Sequence, residues 1–192
     1  MLAYVFWHWR AAQIDALSYQ EYLINFHQVL SSQKPDGFLS SRVLLLEGAP
    51  WPGREAETYE DWYFVENSAA LDPLNVNAVS GQRQGPHDRA ARWAEGGTAG
   101  LYRPRFGDLQ AFAPRFTFWF AKPSSVSYAE LYDALSPLEK QGVGTLWQRQ
   151  MTLGPTAEFC FHSPEETALP DILQTLTIPV DQIYISKRGR PA

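Results

Sequence analysis

Tyr4-Val5-Phe6-Trp7-His8-Trp9-Arg10 near the N-terminus and Phe116-Thr117-Phe118-Trp119-Phe120 past the middle of the chain are the stretches whose reading decides the fold. Both are short runs rich in aromatic and β-branched residues, the composition of a strand with at least one buried face. Each leads to a Ser-Tyr-x-Glu box, Ser18-Tyr19-Gln20-Glu21 and Ser127-Tyr128-Ala129-Glu130. A serine N-cap with glutamate at N3 satisfies two of the amide donors left over where a helix begins, so both boxes predict helices. Further on, Asn67-Ser68-Ala69-Ala70-Leu71-Asp72-Pro73 and Ser163-Pro164-Glu165-Glu166-Thr167-Ala168-Leu169-Pro170 take matching places. Each half then ends on a short strand with a tyrosine, Leu101-Tyr102 and Ile183-Tyr184. An internal repeat is read before anything else, because missing it misassigns the whole fold.

Outward from these anchors, the pattern predicts strands at 3–10, 38–46 and 58–65, separated by a helix over 19–31 and a loop over 50–57. Tyr19, Tyr22, Leu23, Phe26 and Leu30 form the buried stripe of that helix. Asp72 as cap and Pro73 in the first turn predict a broken second helix. In the other half, strands are expected at 116–121, 144–151, 157–162 and 182–186. One helix there should stop near Leu135 and restart at Ser136-Pro137-Leu138-Glu139, and another should open at Ser163. Residues 80–97 have no counterpart in the second half, and Gly85-Pro86 can start a short helix there.

The order is β-α-β-β-α-β, twice, which is the ferredoxin-like arrangement. A sheet with both helices on one face must bury its other face, and two fused copies do this by packing face to face. The expected fold is α+β: two tandem ferredoxin-like repeats, 1–107 (with the 80–97 insertion) and 108–192, whose antiparallel sheets form an intrachain α+β barrel. Element order and helix caps together resemble the dimeric α+β barrel superfamily over most of the chain. That superfamily includes quinol-type monooxygenases, stress-responsive barrel proteins, EthD-like proteins and chlorite-dismutase-like haem proteins.

The 192 residues are 45% hydrophobic, with seven Trp, nine Tyr and eleven Phe, enough for a substantial core and incompatible with a disordered chain. Net charge is -5 and only four lysines are present, so the electrostatic footprint of a nucleic-acid binder is missing. A single cysteine, Cys160, rules out an intramolecular disulfide and favours a reducing, cytoplasmic setting. The first apolar run is broken by His8 and ended by Arg10, which argues against a signal peptide or membrane span. The expected partner is a small apolar or aromatic ligand, with no nucleic acid and no membrane; a homodimer is left open.

No dinucleotide, phosphate-loop, nucleophile-elbow or zinc motif is present. The best constellation comes from strand alternation. Tyr4, Phe6, His8 and Arg10 share one face of the first strand, and Tyr59, Asp61, Tyr63 and Val65 one face of the third. Aromatics mixed with ionisable groups are what a barrel interior holding a small ligand would need. His8 oriented by Asp61 can serve as a general base. His8, Asp61, Tyr63 and His87 are therefore the candidate catalytic residues, with Trp62, Asp88 and Tyr102 as substrate contacts and no metal ligands. The site is expected in the N-terminal half, with 80–97 over it. A cofactor-free enzyme of oxidation or proton transfer, its cofactor otherwise unknown, is the first reading. A non-catalytic interaction or sensory domain is the alternative. A haem protein, which the resemblance also allows, would need His87 or His162 as axial ligand. His27 and Cys160 read as structural, and Asn75 and Asn77 as either ligand contacts or caps.

Overall fold

The computed structural model describes residues 1–51, 57–108, 112–151 and 154–186. Most of the loop expected over 50–57, and residues 109–111 just past the expected boundary at 107/108, lie outside the described residues. Among the described residues eight strands form one closed antiparallel barrel: β1 (Leu2–Arg10), β2 (Phe38–Leu46), β3 (Thr58–Val65), β4 (Ala94–Phe106), β5 (Phe116–Phe120), β6 (Thr145–Arg149), β7 (Phe159–Ser163) and β8 (Leu176–Ile185). Their order around the barrel is β1-β3-β2-β8-β5-β7-β6-β4, and β4 pairs back onto β1. Closure gives each strand a hydrogen-bonded neighbour on either side. Four α-helices lie among the described residues, α1 (Ala16–Ser32), α2 (Leu71–Ala78), α3 (Gln84–Ala91) and α4 (Tyr128–Gln141). None of them is long and apolar enough to cross a membrane.

Local chemistry accounts for where these elements begin and end. Asp15, not Ser18, caps α1, accepting from the Ser18 amide at 2.9 Å. Asn67, not Asp72, caps the single 3-10 turn that leads into α2. The second box forms as expected: Ser127 caps α4 and Glu130 reaches back to the Ser127 amide. α4 does not stop at Leu135 but runs through Pro137, because Leu131, Leu135 and Leu138 all bury against β5–β7, outweighing one lost backbone bond. It ends at Gly142, whose φ of 65° is the left-handed conformation glycine takes without strain.

The helix expected at Ser163 is absent, and residues 164–175 are irregular. Pro164 and Pro170 bracket too few residues for a stable helix, and the Ser163 hydroxyl closes a local turn by accepting from the Glu165 amide. β4 is much longer than the two-residue anchor suggested, because it pairs with β1 along one half and with β6 along the other. Gly97 makes this possible: a Cβ there would sit 2.5 Å from the Phe6 ring, which lies across β4.

Strand alternation divides the barrel into an inside and an outside, and the assignment is the reverse of the expected one. The lumen takes Val5, Trp7, Trp62, Tyr102, Trp119 and Trp147, with their neighbours, as a tightly packed aromatic core. Trp7 meets Trp119 at 5.8 Å between ring centroids, and Trp62 meets Trp147 at 4.9 Å. The face with His8 and Asp61 points outward, beneath α1, α2 and α3. All eight residues of β3 are consequently buried, one face by the indoles and one by the helices.

Two charged residues, Glu60 and Arg42, are sealed in the lumen. Glu60 accepts from the Trp7 indole at 2.7 Å. Burial pushes its carboxyl up to about 7, against the opposing pull of the Trp62 and Trp7 indoles and of Arg42. Burial also pushes Arg42 down to about 10. A carboxyl with a raised folded pKa holds a proton that the unfolded chain has already released, so its stabilisation is present below 4.5 and is lost as pH rises through about 7. Glu60→Gln is expected to abolish that loss, gaining up to about 3 kcal/mol over wild type above neutrality relative to pH 4.5, as read from denaturant midpoints against pH. Truncating Trp7 or Trp119 to alanine should cost about 3–5 kcal/mol in the same assay, as for any large aromatic removed from a packed core.

Candidate functional site

The polar residues on the outer face of β1 and β3 converge on one carboxylate. Asp61 lies at the middle of β3, and His8 comes from the adjacent strand β1. His8 Nε2 lies 3.2 Å from Asp61 Oδ1. His27 arrives from α1, its Nε2 3.2 Å from Asp61 Oδ2. The Tyr63 hydroxyl donates to Asp61 Oδ2 at 3.0 Å. All four side chains are buried, with Asp61 3% exposed and His27 fully enclosed. Burial alone would raise the Asp61 carboxyl; the His8 and His27 imidazoles outweigh it and hold the group well below the usual carboxylate range.

An ionised carboxylate can only accept, so both imidazoles turn an Nε2–H toward Asp61; in the neutral ring Nδ1 then carries a lone pair. Each lone pair is met by a hydroxyl. Tyr19 on α1 donates to His8 Nδ1 at 2.7 Å, and Ser41 on β2 donates to His27 Nδ1 at 2.8 Å. The His8–Asp61 contact is at ion-pair distance but off a straight N–H···O line, a geometry that can tighten when a ligand binds. His8 is clamped between the Phe6 ring at 5.1 Å and the Tyr59 ring at 5.6 Å. Burial, then the Asp61 charge, push the Tyr19 and Tyr63 phenols above their ordinary range, so both stay neutral donors.

This network forms the floor of a cavity of about 590 Å³ between the barrel wall and α1, α2 and α3. Its volume falls in the range of small-molecule sites. The walls are mainly apolar, including Leu23, Phe26, Leu74 and Ala90, while His8, Tyr19, Asp61 and Tyr63 supply the polar end. His87 on α3 lines the same cavity and packs edge-on against Phe26 at 5.5 Å. Asn75 lines it too, whereas Asn77 bonds to the Pro73 carbonyl within its own helix.

Three expected substrate contacts are elsewhere. Trp62 and Tyr102 point into the lumen, since their strand parity is opposite to that of Asp61 and Leu101; the Tyr102 hydroxyl is engaged with Thr156 at 2.6 Å. Asp88 faces solvent beside His87 at 3.1 Å and does not line the cavity. The cavity itself is not in the barrel interior. His162 is also in the lumen, its ring 4.8 Å from Trp62, where indoles fill the space a haem would need; burial, then Arg42, push its imidazole well below its usual value. Tyr19 and His27 were the residues the sequence reading passed over as helix stripe and structural histidine. Among the described residues, no group of three side chains is placed to hold a metal ion.

No protein-family profile matches the sequence, and no curated protein matches it. Solved structures do match in fold. A provisionally assigned monooxygenase from Lactobacillus acidophilus NCFM superposes with a TM-score of 0.58 at 11% identity, over 98% of this chain and 97% of that one. An anthrone oxidase-like protein aligns over 95% of this chain and 93% of its own, at 9% identity and a TM-score of 0.49. The first of these likenesses shows a shared antiparallel α+β barrel.

Asp61, depressed in the folded state, contributes stability above its ordinary value of 3.8 that is lost as pH falls below it. Asp61→Asn is expected to cost about 3 kcal/mol or more at neutral pH, because it removes the charge and leaves one acceptor oxygen for two buried imidazoles, and to flatten the acid limb of the stability profile. Denaturant titrations of the two proteins across acid and neutral pH would measure both effects.

Proposed function

We propose that this protein is a cofactor-independent enzyme that takes a small, largely apolar molecule into the cavity under α1–α3 and removes a weakly acidic proton from it. The observation that supports this best is an imidazole 3.2 Å from a buried aspartate held ionised, on the floor of a pocket with apolar walls. A ligand with a planar or aliphatic body and one phenolic or enolic group fits that division into apolar walls and polar floor. His8 is the base, Asp61 stabilises the imidazolium that forms, and Tyr63 steadies Asp61. His87 and Asn75 face the ligand from the helical side. Loss of a proton makes a phenol or enol electron-rich, the condition under which it can react with dioxygen without a metal or flavin. Oxidation is thus the chemistry this site suits, in keeping with the monooxygenase assignment of the Lactobacillus protein that shares its fold.

The strand order is also what two β-α-β-β-α-β units, 1–107 and 108–192, would give on fusing edge to edge, and we read the chain as such a tandem. α2 and α3 then stand where one unit has its second helix, and the irregular stretch 164–175 where the other has lost it.

Para-nitrophenol tests the functional reading, since its phenolate absorbs at longer wavelength than the phenol. Wild type is expected to bind the probe and to hold a larger fraction as phenolate than free solution does at the same pH. His8→Ala should still bind it but lose the phenolate band, read well below a thermal midpoint that this variant lowers by removing a partner of buried Asp61. Absence of binding to wild type would sink the proposal. Binding without ionisation would make the protein a small-molecule receptor, not an enzyme.

A further inference from the structure

We infer that Tyr19, not His8, is the residue that exchanges a proton with the ligand, passing it along a Tyr19–His8–Asp61 relay. This rests on the small-molecule reading of the cavity and names the contact group within it. Both nitrogens of His8 are already engaged: Nδ1 accepts from the Tyr19 hydroxyl at 2.7 Å, and Nε2 faces Asp61 at 3.2 Å. The ring faces are closed by Phe6 and Tyr59. A ligand cannot reach a His8 nitrogen unless Tyr19 moves aside. Tyr19 itself lines the cavity.

Tyr63 is the rival contact, since it also lines the cavity and donates to Asp61. Its arm ends on a carboxylate held well below the usual range, a poor proton acceptor. The Tyr19 arm ends on an imidazole nitrogen, a far better one.

The transfer balances without a tyrosinate. The ligand O–H bond breaks as its proton joins the Tyr19 oxygen, while the Tyr19 O–H bond breaks as that proton joins His8 Nδ1. The ligand is left as an anion and His8 as an imidazolium beside Asp61, with Tyr19 neutral before and after. The upward displacement of the Tyr19 phenol disfavours any route through free tyrosinate, which agrees with the concerted exchange. Relaxation of the imidazolium returns the proton by the same path.

The test uses the full chain as wild type, Tyr19→Phe and Tyr63→Phe, in two measurements. In the first, ¹⁵N NMR of the imidazoles needs no ligand. Wild-type His8 should show an Nε2–H tautomer with Nδ1 hydrogen-bonded; Tyr19→Phe should shift the Nδ1 signal much further than Tyr63→Phe does. An unchanged His8 signal in Tyr19→Phe overturns the relay, whatever the fate of the functional reading. In the second, bound para-nitrophenol should lose its phenolate fraction about tenfold or more in Tyr19→Phe, with binding affinity changed far less, and lose it by a clearly smaller factor in Tyr63→Phe, which loosens Asp61 without breaking the relay. Retention of the phenolate band in Tyr19→Phe, or its loss only in Tyr63→Phe, overturns the assignment. Failure of wild type to bind the probe would instead strike the small-molecule reading and leave the NMR result to decide the relay.

Discussion

Closure of the barrel is the constraint from which the rest follows. With β4 paired back onto β1, every strand has a hydrogen-bonded neighbour on each side, and β3 is covered on both faces, by the lumen on one and by α1–α3 on the other. Any polar side chain placed on such a strand must find partners within the protein or cost several kcal/mol. Neighbouring positions on β3 show both outcomes. Glu60 faces the indoles, and its burial favours the protonated acid; Asp61, one residue on, faces two imidazoles and a phenol and is held ionised. A single peptide step separates a carboxyl that gives up charge from one that keeps it.

The layer beneath α4 is the same kind of environment without the polar chemistry. Phe118, Phe120, Phe159 and Phe161 pack there against Leu131, Leu135 and Leu138. Stacked Phe120 and Phe159, at 5.3 Å, fill cross-strand positions of the sort that stacked His8 and Tyr59 take under α1. A phenylalanine pair needs nothing beyond close contact, whereas a buried histidine demands an acceptor and a donor. Polar chemistry in one half is therefore a cost that the apolar packing of the other half helps offset within a single cooperative barrel.

Much of this was legible in the sequence, and what was not has physical causes. Period-two alternation sorted β1 and β3 into their faces, and it put His8, Asp61 and Tyr63 on faces that meet. It could not say which face looks inward, because alternation carries no sign: with both faces buried, an aromatic-polar stripe and an indole stripe are equally eligible for the lumen. Trp62 and Tyr102 were misplaced by that choice. Tyr19 and His27 were invisible as site residues for a different reason. On an amphipathic helix, a tyrosine or histidine in the apolar stripe looks the same whether it fills the core or bonds to a carboxylate on the sheet below. Only the register of β1 against β3, long-range in the chain, shows that Asp61 lies under α1.

The helix that the Ser163 segment failed to form shows the same limit from the local side. Ser163-Pro164-Glu165-Glu166 carries the chemistry of a helix start, but a cap only lowers the cost of a helix that packing then sustains. α4 has that packing and runs through a proline; the 164–175 segment has Leu169 and Leu173 touching the core singly, and no continuous stripe. Over the first half, by contrast, α1, α2 and α3 together provide more helical surface than the sheet face can seal. The space between them is the cavity. The site is thus a consequence of where helices are in excess, and its polarity a consequence of which strand residues lie below them.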